Sequence, residues 1–477
     1  MGLQKKLDKL YDKLSALEQR ITQLEQSNKN IREKNTDLKH KNEKLLRKNE
    51  DLEKEIKQLK SIKNVPKDSK NSSFPASKDE NRVKGNKSLR KASGLKTDGQ
   101  KGHKGSTLKM SATPDEIKHH LPNQCSCCGE FLDGQVIFQG KRQVIDIPVI
   151  KPSIIEHQIY SVKCKCGNTT KSKYPKDVNS PVSYGVNIEV LINYLNTRQY
   201  ISLVKIEEFL RQEMDVKMSQ ATIVNKLKSF KVKAQATYEK IRNNVGKALV
   251  VGTDETGCVV NGVKHWMWTW QSEFQTFIAV SPTRGFKAIE NNFSKGFPKS
   301  TLVSDCWAAQ LKTPAKTYQI CIAHLQRELN YFIELGKEKW SAKMLKIIKE
   351  ALNLKAKMNK HSSPNFKFKV EQLIIKSDKH ISKTICGPPK LLALQKRLKK
   401  HEGEIWTFLT NFEVLADNNG SERAIRNVKV KQKVSGQFKT FEGAEHFAVV
   451  RSIIDTAIKN NKCVFVEMTK LAQFRPE

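Results

Sequence analysis

Three acidic stretches carry the residue types that bind divalent metal ions in enzymes acting on phosphate esters. The first two, VGTDETG at 251–257 and VSDCWAA at 303–309, each follow an apolar, strand-like run. The third, DNNGSERAIR at 417–426, opens a helical pattern. Carboxylates brought together from two strand ends and one helix can hold two metal ions for in-line attack on a phosphodiester. The pattern therefore predicts a metal-dependent phosphodiester chemistry.

The candidate catalytic and metal-binding acids are Asp254, Asp305 and Glu422. Each also has a simpler interpretation: a polar loop residue, a turn or cap residue, and a favourable acid in the first turn of a helix. Glu255 follows Asp254 directly, and strand alternation places it on the opposite face. The order of the acids and the elements that hold them favour the catalytic interpretation.

The charge of the chain points to a polyanionic partner. Its 477 residues contain 86 Lys and Arg against 49 Asp and Glu, which gives a net charge of +37. A membrane surface would also suit this charge, but we expect no membrane partner because the sequence has no apolar run of about 18 residues and no secretory signal. The ten cysteines are mostly scattered, which favours a metal site over a disulfide framework. These features predict a cytoplasmic, DNA-facing protein.

The elements around the acids predict an α/β catalytic core. Three consecutive strands begin after Gly246, and helices then alternate with strands up to residue 335. This order matches a ribonuclease H-like fold, in which the strands carrying Asp254 and Asp305 are neighbours. We assign residues 241–335 and 401–460 to this core, residues 336–400 to a helical insertion, and residues 461–477 to a tail.

The first 62 residues carry an unbroken heptad pattern from Leu3 to Leu59. Leucine or isoleucine fills every d position, and the a positions hold Leu, Ile and four consecutive Asn. Leu at d with Asn at a favours a parallel, in-register dimer. The alternative is one long amphipathic helix packed on its own chain. We predict a coiled coil at 1–62 that makes the protein a homodimer or a higher oligomer.

A basic segment follows at 63–110, with 13 Lys or Arg against 4 Asp or Glu. Its composition is typical of a flexible linker. Within it, a Gly-rich basic stretch at 94–108 supplies Lys101, His103 and Lys104 as candidate phosphate contacts, since Gly lets the backbone approach a phosphate closely.

A cysteine module is predicted at 111–180. Cys125 and Cys128 form a C-x2-C knuckle, and Cys164 and Cys166 form a shorter C-x-C knuckle; each is followed by Gly. Four thiolates suit tetrahedral zinc. The alternatives are reduced structural cysteines, or ligand substitution by Cys127, His119, His120 or His157. Alternation at 136–162 predicts a hairpin between the knuckles, so we expect a small zinc β-module.

Residues 181–240 predict helices at 188–198, 202–214 and 219–230, the last capped by Ser219. Two helices joined by a turn, the second one basic, are typical of a helix-turn-helix that reads DNA, although ordinary helical packing explains the pattern equally well. The alternating Trp266, Trp268 and Trp270 share one strand face and predict core packing rather than base stacking.

Two further groups of residues lie close to the acids in the pattern. Cys321 and His324, in the CIAH stretch, are expected beside the site. The basic residues after Glu422 are candidate DNA contacts, although a solvated basic face explains them nearly as well. They are Arg423, Arg426, Lys429, Lys431 and Lys433.

Taken in order, these motifs resemble bacterial transposases of the insertion-sequence 66 family. The resemblance covers nearly the whole chain. Its motifs are GQKGHKG, CSCCGEFL, KCKCGN, VGTDETG, SDCWAA, CIAHLQREL, DNNGSERAIR and GAEHFAVVRSIIDTA. The chain departs from the family pattern in its shortened second knuckle, in CIAH where the family has CWAH, and in DCW where it has DGY.

The resemblance implies a DDE transposase in which Asp254, Asp305 and Glu422 bind two Mg²⁺ or Mn²⁺ ions. It implies strand cleavage and strand transfer at the terminal repeats of a mobile element and in target DNA, with accessory transposition proteins as further partners in a bacterial, nucleoid-associated setting. The fold expected is multidomain α+β. Three rival functions are a non-catalytic DNA-binding regulator derived from a transposase, an oligomeric scaffold, and a nuclease for RNA–DNA hybrids.

Overall fold

The computed structural model describes residues 2–62, 108–175, 178, 180–336, 338–359 and 363–473. These residues form two units. One contains both β-sheets and the helices packed on them, and the other contains the N-terminal helix and the helices of the predicted insertion. Lys101, His103 and Lys104 lie outside the described residues. In the part of the chain that is described, no helix is both long and apolar enough to cross a membrane.

The heptad segment is a single helix, α1 (Gly2–Ile62). Its d-position leucines are exposed in the single chain, with Leu17 at 62% and Leu24 at 55% of their full accessible surface. The helix predicted from the heptad pattern is therefore confirmed. Pairing of this helix with a second copy stays a prediction.

The cysteine module contains a two-stranded antiparallel sheet, β1 (Ser161–Lys163) and β2 (Thr169–Lys171). This hairpin encloses the second cysteine pair. The hairpin predicted at 136–162 was wrong, because residues 136–160 contain no strand. Apolar side chains of that stretch such as Val144 and Ile147 are largely exposed, so the alternation there has no partner strand to satisfy it.

Four helical segments follow the module and lead into the core. They are α2 (Val186–Asn193), a π-helical turn (Tyr194–Arg198), α3 (Leu203–Met214) and α4 (Gln220–Lys247). Ser219 caps α4 as predicted, since its side chain accepts a hydrogen bond from the Thr222 N–H at 3.3 Å. The helix α4 runs through the boundary expected at 240/241. Its Phe230, Ala234 and Val245 belong to the same hydrophobic cluster as the central sheet.

The central sheet has five strands in the order β5-β4-β3-β6-β7. Their bounds are β3 (Val250–Val260), β4 (Val263–Gln271), β5 (Thr276–Ser281), β6 (Phe297–Ser304) and β7 (Ala315–Ile320). The first three are antiparallel, whereas β6 pairs parallel with β3, and β7 pairs parallel with β6. Two short helices, α5 (Phe286–Asn292) and α6 (Ala308–Leu311), follow β5 and β6 respectively. The strands carrying Asp254 and leading to Asp305 are neighbours, as the sequence predicted.

The predicted insertion is helical. Its unit contains α7 (Ile322–Gly336), α8 (Lys339–Ala356), α9 (Pro364–Ile381) and α10 (Pro389–Lys400). Trp340 and His380 tie α8 to α9: Trp340 Nε1 donates to the carbonyl of His380 at 3.0 Å, and His380 Nε2 lies 2.9 Å from the carbonyl of Trp340.

The chain returns to the sheet with its last helices. These are α11 (Glu402–Ile405), α12 (Thr407–Thr410), α13 (Asn419–Ser435), α14 (Phe441–Lys459) and α15 (Val464–Gln473). The segment expected to be a tail contains α15, whose Met468 and Ala472 are buried in the core.

The two faces of the sheet bury different sets of residues. Trp268 and Trp270 are fully buried in a cluster that includes residues of α4, α5 and α14, and the partly buried Trp266 packs against the same cluster, which confirms the prediction of core packing for all three. Met267, on the opposite face by alternation, packs with Val428 of α13. Since Asp254 pairs with Thr269 and Glu255 pairs with Trp268, the two neighbouring acids lie on opposite faces.

Candidate active site

Asp254 and Asp305 lie at the same end of two neighbouring strands. The parallel ladder of β3 and β6 ends at the pair Gly252–Val303, and each acid follows its paired residue by two positions. Both acids are half-buried. The Oδ1 atom of Asp305 is buried and has no hydrogen-bond partner among the described residues. A buried carboxylate oxygen without a partner is costly unless a ligand satisfies it.

The helix α13 brings the third acid to this end of β3. Asn418, immediately before the helix, is 2% exposed, and its Nδ2 donates to the carbonyl of Thr253 at 2.6 Å. Its Oδ1 accepts a hydrogen bond from Ser421 Oγ at 2.6 Å, and its N–H donates to Cys321 Sγ at 3.3 Å. One asparagine thus joins the residue before Asp254 to the first turn of the helix that carries Glu422.

Gly252 makes this close approach of α13 and β3 sterically feasible. A Cβ at residue 252 would lie 2.7 Å from Asn418 Oδ1 and 2.8 Å from Ser421 Oγ. Any side chain there would push the start of α13 away from the strand. Sequence reasoning treated Gly252 only as part of a strand, although a glycine inside a buried strand is a signal of close backbone approach.

A second contact of α13 involves Gln271 at the end of β4. A Cβ at Gly420 would collide with the Gln271 side-chain amide, which would have to move to make room for it. Lys459 of α14 donates to Gln271 Oε1 at 2.6 Å and to the carbonyl of Ser272 at 2.6 Å. Burial lowers the pKa of Lys459 to about 8. Neither Gln271 nor Lys459 was predicted from the sequence.

The acids form one electrostatically coupled group. Burial raises the pKa of Asp254 well above its ordinary value. Repulsion from Asp305 raises the pKa further, followed by repulsion from Glu255 and then Glu422. A hydrogen bond from the Glu255 N–H to Asp254 Oδ1, at 2.9 Å, opposes the shift. Asp254 is therefore close enough to Asp305 and to Glu422 to be repelled by both, although the three acids come from β3, the end of β6 and α13.

Glu255 has a different environment on the opposite face. Arg284 donates to its Oε1 through Nε at 2.8 Å and through Nη2 at 2.7 Å, and Gln310 Nε2 donates to its Oε2 at 2.8 Å. Burial, with repulsion from Asp305, raises the pKa of Glu255 to about 7, and Arg284 opposes this rise. Both carboxylate oxygens have protein donors, so Glu255 is a positioning residue. Its partners Arg284 and Gln310 were not predicted from the sequence.

The acidic group suits Mg²⁺ or Mn²⁺ by its donor chemistry, since these ions prefer carboxylate oxygens. The unpartnered Oδ1 of Asp305 and the repulsion at Asp254 also fit a cation. Within the described ranges, however, no three His, Cys, Asp or Glu side chains are arranged to hold a metal ion. The fit therefore rests on charge and donor type rather than on preformed ligand geometry.

The cysteine module forms two separate knuckles. At the first, the Gly129 N–H donates to the Cys125 carbonyl at 2.9 Å, and at the second, the Gly167 N–H donates to the Cys164 carbonyl at 2.9 Å. Both glycines have positive φ, +77° and +90°, which only glycine adopts readily.

Each knuckle favours a thiolate. Backbone hydrogen bonds from Cys128 and Cys127 lower the pKa of the Cys125 thiol, and one from Cys166 lowers that of Cys164. The geometry fits two halves of a zinc site. Among the residues that the structure describes, the four cysteines do not form one metal-binding cluster.

The basic residues of α13 have unequal surroundings. Arg423, Arg426 and Lys433 are exposed. Lys431 is 7% exposed and its Nζ donates to the Asn196 carbonyl at 3.1 Å, while Lys429 Nζ donates to the Gly257 carbonyl at 2.7 Å. Lys431 therefore contacts protein rather than an external phosphate, because the helix turns it towards the π-helical segment.

The CIAH stretch divides between the two units. Cys321 is buried and accepts the hydrogen bond from Asn418, so it supports the start of α13. His324 lies in the first turn of α7 and is half-buried.

Comparison with known families identifies the chain. Residues 182–446 match the model of the Transposase IS66 family, which covers more than half of the 477 residues. The chain belongs to the IS66 family of transposases. Residues 122–167 match the zinc-finger binding domain of transposase IS66, so the cysteine module of this IS66 transposase is a zinc-finger domain. The main match contains Asp254, Asp305 and Glu422. No curated protein matches the chain.

Proposed function

We propose that this IS66 transposase cuts and joins DNA at the ends of an insertion sequence, with Asp254, Asp305 and Glu422 as ligands of divalent metal ions. The observation that carries the proposal is that Asp254 and Asp305 each follow, by two positions, a residue paired between neighbouring parallel strands, and that Asp305 and Glu422 both repel Asp254. A half-buried acid that is repelled by two other acids destabilises a fold unless a cation neutralises it. Their convergence from three segments is therefore best explained by a function.

The sheet supports a ribonuclease H-like core for this chemistry. Its order, β5-β4-β3-β6-β7 with three antiparallel strands followed by two parallel ones, is the arrangement that places the first and fourth strands side by side. Asp254 lies on the first of these strands and Asp305 follows the fourth.

The chain's own residues hold the acids in place and control their protons. Asn418 and Gly252 fix the start of α13, so that Glu422 is delivered to the end of β3. The raised pKa keeps a proton on Asp254 to a higher pH than usual, and this proton leaves before the carboxylate serves as a ligand. When bound, two Mg²⁺ or Mn²⁺ ions would activate the attacking hydroxyl and offset charge on the phosphorus. No covalent enzyme intermediate is needed.

The rest of the chain supplies DNA binding and assembly in this proposal. The net charge of +37 and the zinc-finger domain favour duplex DNA, at the element's terminal repeats and at the target. Arg423, Arg426 and Lys433 are the exposed cations closest in sequence to Glu422. The pair α3–α4 acts as a helix-turn-helix-like reader, and α1 forms a parallel dimer. The protein would work at the nucleoid, with accessory transposition proteins as further partners.

A nicking assay tests the catalytic part. A supercoiled plasmid that carries the element's own ends is incubated with the full-length protein, with Mg²⁺ or with chelator. We expect strand breaks at the element ends only with Mg²⁺. End binding without cleavage under both conditions would favour the non-catalytic regulator instead.

A further inference from the structure

Trp307 is an exposed indole next to the proposed active site. It lies two residues after Asp305 and is 37% exposed, whereas Trp268 and Trp270 of the same unit are fully buried. Cys306, between Asp305 and Trp307, has φ of +72°, a left-handed conformation that is strained for a side chain other than glycine.

Arg284 holds the indole from one side. Its guanidinium carbon lies 3.8 Å from the centroid of the Trp307 ring, within the range of a cation–π contact. The Trp307 Nε1 atom lies 3.5 Å from the Arg284 carbonyl, which sets the orientation of the ring. Arg284 is itself fixed by two hydrogen bonds to the buried Glu255. The indole therefore has little conformational freedom left to lose on binding a ligand.

A second aromatic and a second cation extend this surface. The Arg284 guanidinium also lies 4.9 Å from the Trp266 ring, and the exposed Lys264 Nζ lies 4.9 Å from the same ring. We call these four residues, Lys264, Trp266, Arg284 and Trp307, the tryptophan–cation strip. Alternating aromatic rings and cations is the composition that proteins use to bind single-stranded nucleic acid.

Core packing explains only part of the strip: Trp266 packs against the core cluster of the sheet, whereas Trp307 does not belong to that cluster. An indole that only filled the core would be buried like Trp270, and a guanidinium needed only to neutralise Glu255 would not have to lie against two rings. Glu255 in turn is a costly buried acid whose two oxygens are both used to hold Arg284 and Gln310. This set of contacts serves to present a rigid, partly exposed ring.

We propose that the tryptophan–cation strip binds an unpaired nucleobase of the DNA strand adjacent to the phosphate that is cut. The base stacks on Trp307, and Lys264 contacts the neighbouring phosphate. The inference rests on the proposed function, since it takes DNA as the substrate. It adds a base-binding subsite that requires the duplex to open locally beside Asp305.

The test measures binding without cleavage, in chelator, with the full-length protein. The probes are a labelled oligothymidylate of about 12 nucleotides and a matched chain in which the bases are replaced by abasic sites, so that only the phosphates remain. Trp307→Leu removes the stacking ring and keeps an apolar side chain. Trp307→Phe keeps a stacking ring. Phe274→Leu changes another exposed aromatic, 53% exposed in the turn between β4 and β5, and is the control.

We expect Trp307→Leu to weaken oligothymidylate binding by roughly 5- to 150-fold, the range measured for one base–aromatic stack. Its affinity for the abasic chain should be unchanged. Trp307→Phe should stay close to the parent, and Phe274→Leu should change neither affinity. Equal effects of Trp307→Leu on both probes would show that the ring does not stack on a base, and no effect on either would show that it does not contact the strand; both outcomes overturn the proposal.

Lys264→Gln provides a second test that does not depend on the folding of a tryptophan variant. It changes an exposed residue, and we expect it to weaken binding of both probes equally. We also expect the salt dependence of the binding constant to decrease by the amount that corresponds to about one phosphate contact. If the salt dependence of binding is unchanged in Lys264→Gln, Lys264 does not contact a phosphate and the proposed strip is contradicted. The binding assay and the cleavage assay test different proposals. If Trp307→Leu binds oligothymidylate as tightly as the parent, the subsite is refuted. If Asp254→Asn cleaves DNA at the parental rate, the proposed function is refuted but the subsite is not.

Discussion

Asp254 and Asp305 follow the last paired residues of two parallel strands, Gly252 and Val303, by the same number of positions. The strand ladder itself therefore sets how far apart the two acids lie along the sheet. Neighbouring strands are about 4.8 Å apart, so carboxylates at the same level can approach a shared cation. The third acid, Glu422, depends instead on how α13 is held against β3.

Removing any one of the three acids should abolish cleavage and leave DNA binding largely intact. Asp254→Asn, Asp305→Asn and Glu422→Gln each keep the side-chain shape and lose the charge that binds a cation. We expect cleavage to fall by roughly 100-fold or more, measured by nicking of a plasmid with the element ends, with end binding followed by gel shift.

Glu255→Gln is the matched control for these acids. The Gln310 Oε1 atom is buried and has no hydrogen-bond partner within the described part of the chain, so a flip of the Gln310 amide can accommodate the new Gln. We expect a smaller loss of cleavage than for the three acids. If any of those three variants cuts DNA at the parental rate, that carboxylate is misassigned.

Gly252→Ala should lower cleavage by displacing α13. The new methyl group would lie 2.7 Å from Asn418 Oδ1, and the helix start would have to move. Gly257→Ala on the same strand is the control, because its methyl group would meet Lys264 Cε at an ordinary 3.6 Å. We compare the cleavage rates and the thermal unfolding temperatures of the two variants, and we expect a lower cleavage rate for Gly252→Ala. Equal activity of the two would mean that the fit at Gly252 does not position Glu422.

Zinc should depend on the knuckle cysteines and not on Cys127. We expect Cys125→Ser and Cys164→Ser to lose bound zinc, since each removes a thiolate ligand. Cys127→Ser should retain it, although it lies in the same knuckle. Zinc per chain is measured by atomic absorption after gel filtration. Full zinc content in all three variants contradicts the assignment.

Stability should rise with pH through the acid range because of His446. Burial lowers the pKa of His446 to about 3, and its Nε2 lies 2.7 Å from Asn193 Oδ1. An unfolded histidine titrates near 6.5. Between these values the unfolded state binds the extra proton, so His446 lowers the free energy of unfolding as the pH falls, by at most about 1.4 kcal/mol per pH unit.

His446→Gln tests the source of this slope. Glutamine can keep the hydrogen bond to Asn193 but does not titrate. Urea unfolding at several pH values between about 5 and 7 should give a shallower pH dependence for the variant. Identical slopes for the two proteins would show that His446 does not carry the effect.

The helix α1 should make the protein a dimer. Leu24→Lys places a charge at a d position of the predicted seam, and we expect it to shift the protein towards monomer. Gln26→Lys adds the same charge at an f position, away from the seam, and should leave the dimer unchanged. Light scattering after gel filtration gives the mass. A parent that is monomeric at micromolar concentration contradicts the coiled coil.

The sequence alone determined the strands and helices of the central sheet region and their order, although it mispredicted the hairpin at 136–162 and missed α15. Three consecutive strands follow Gly246 as predicted, Ser219 caps α4, and Glu255 lies on the face opposite Asp254. These features follow from periodicity and capping, which depend on residues close together in the chain.

Tertiary structure alone decided what surrounds the acids. The hydrogen bond from Asn418 to Thr253 joins residues 165 positions apart, and Arg284 reaches Glu255 across 29 positions. The same packing buries Lys431, which the sequence made a candidate DNA contact. It also leaves Trp307 partly exposed. Local sequence patterns specify which face of an element is apolar, but they do not specify which distant element packs against it. That choice depends on the packing of the whole unit, and it determines which side chains surround Asp254.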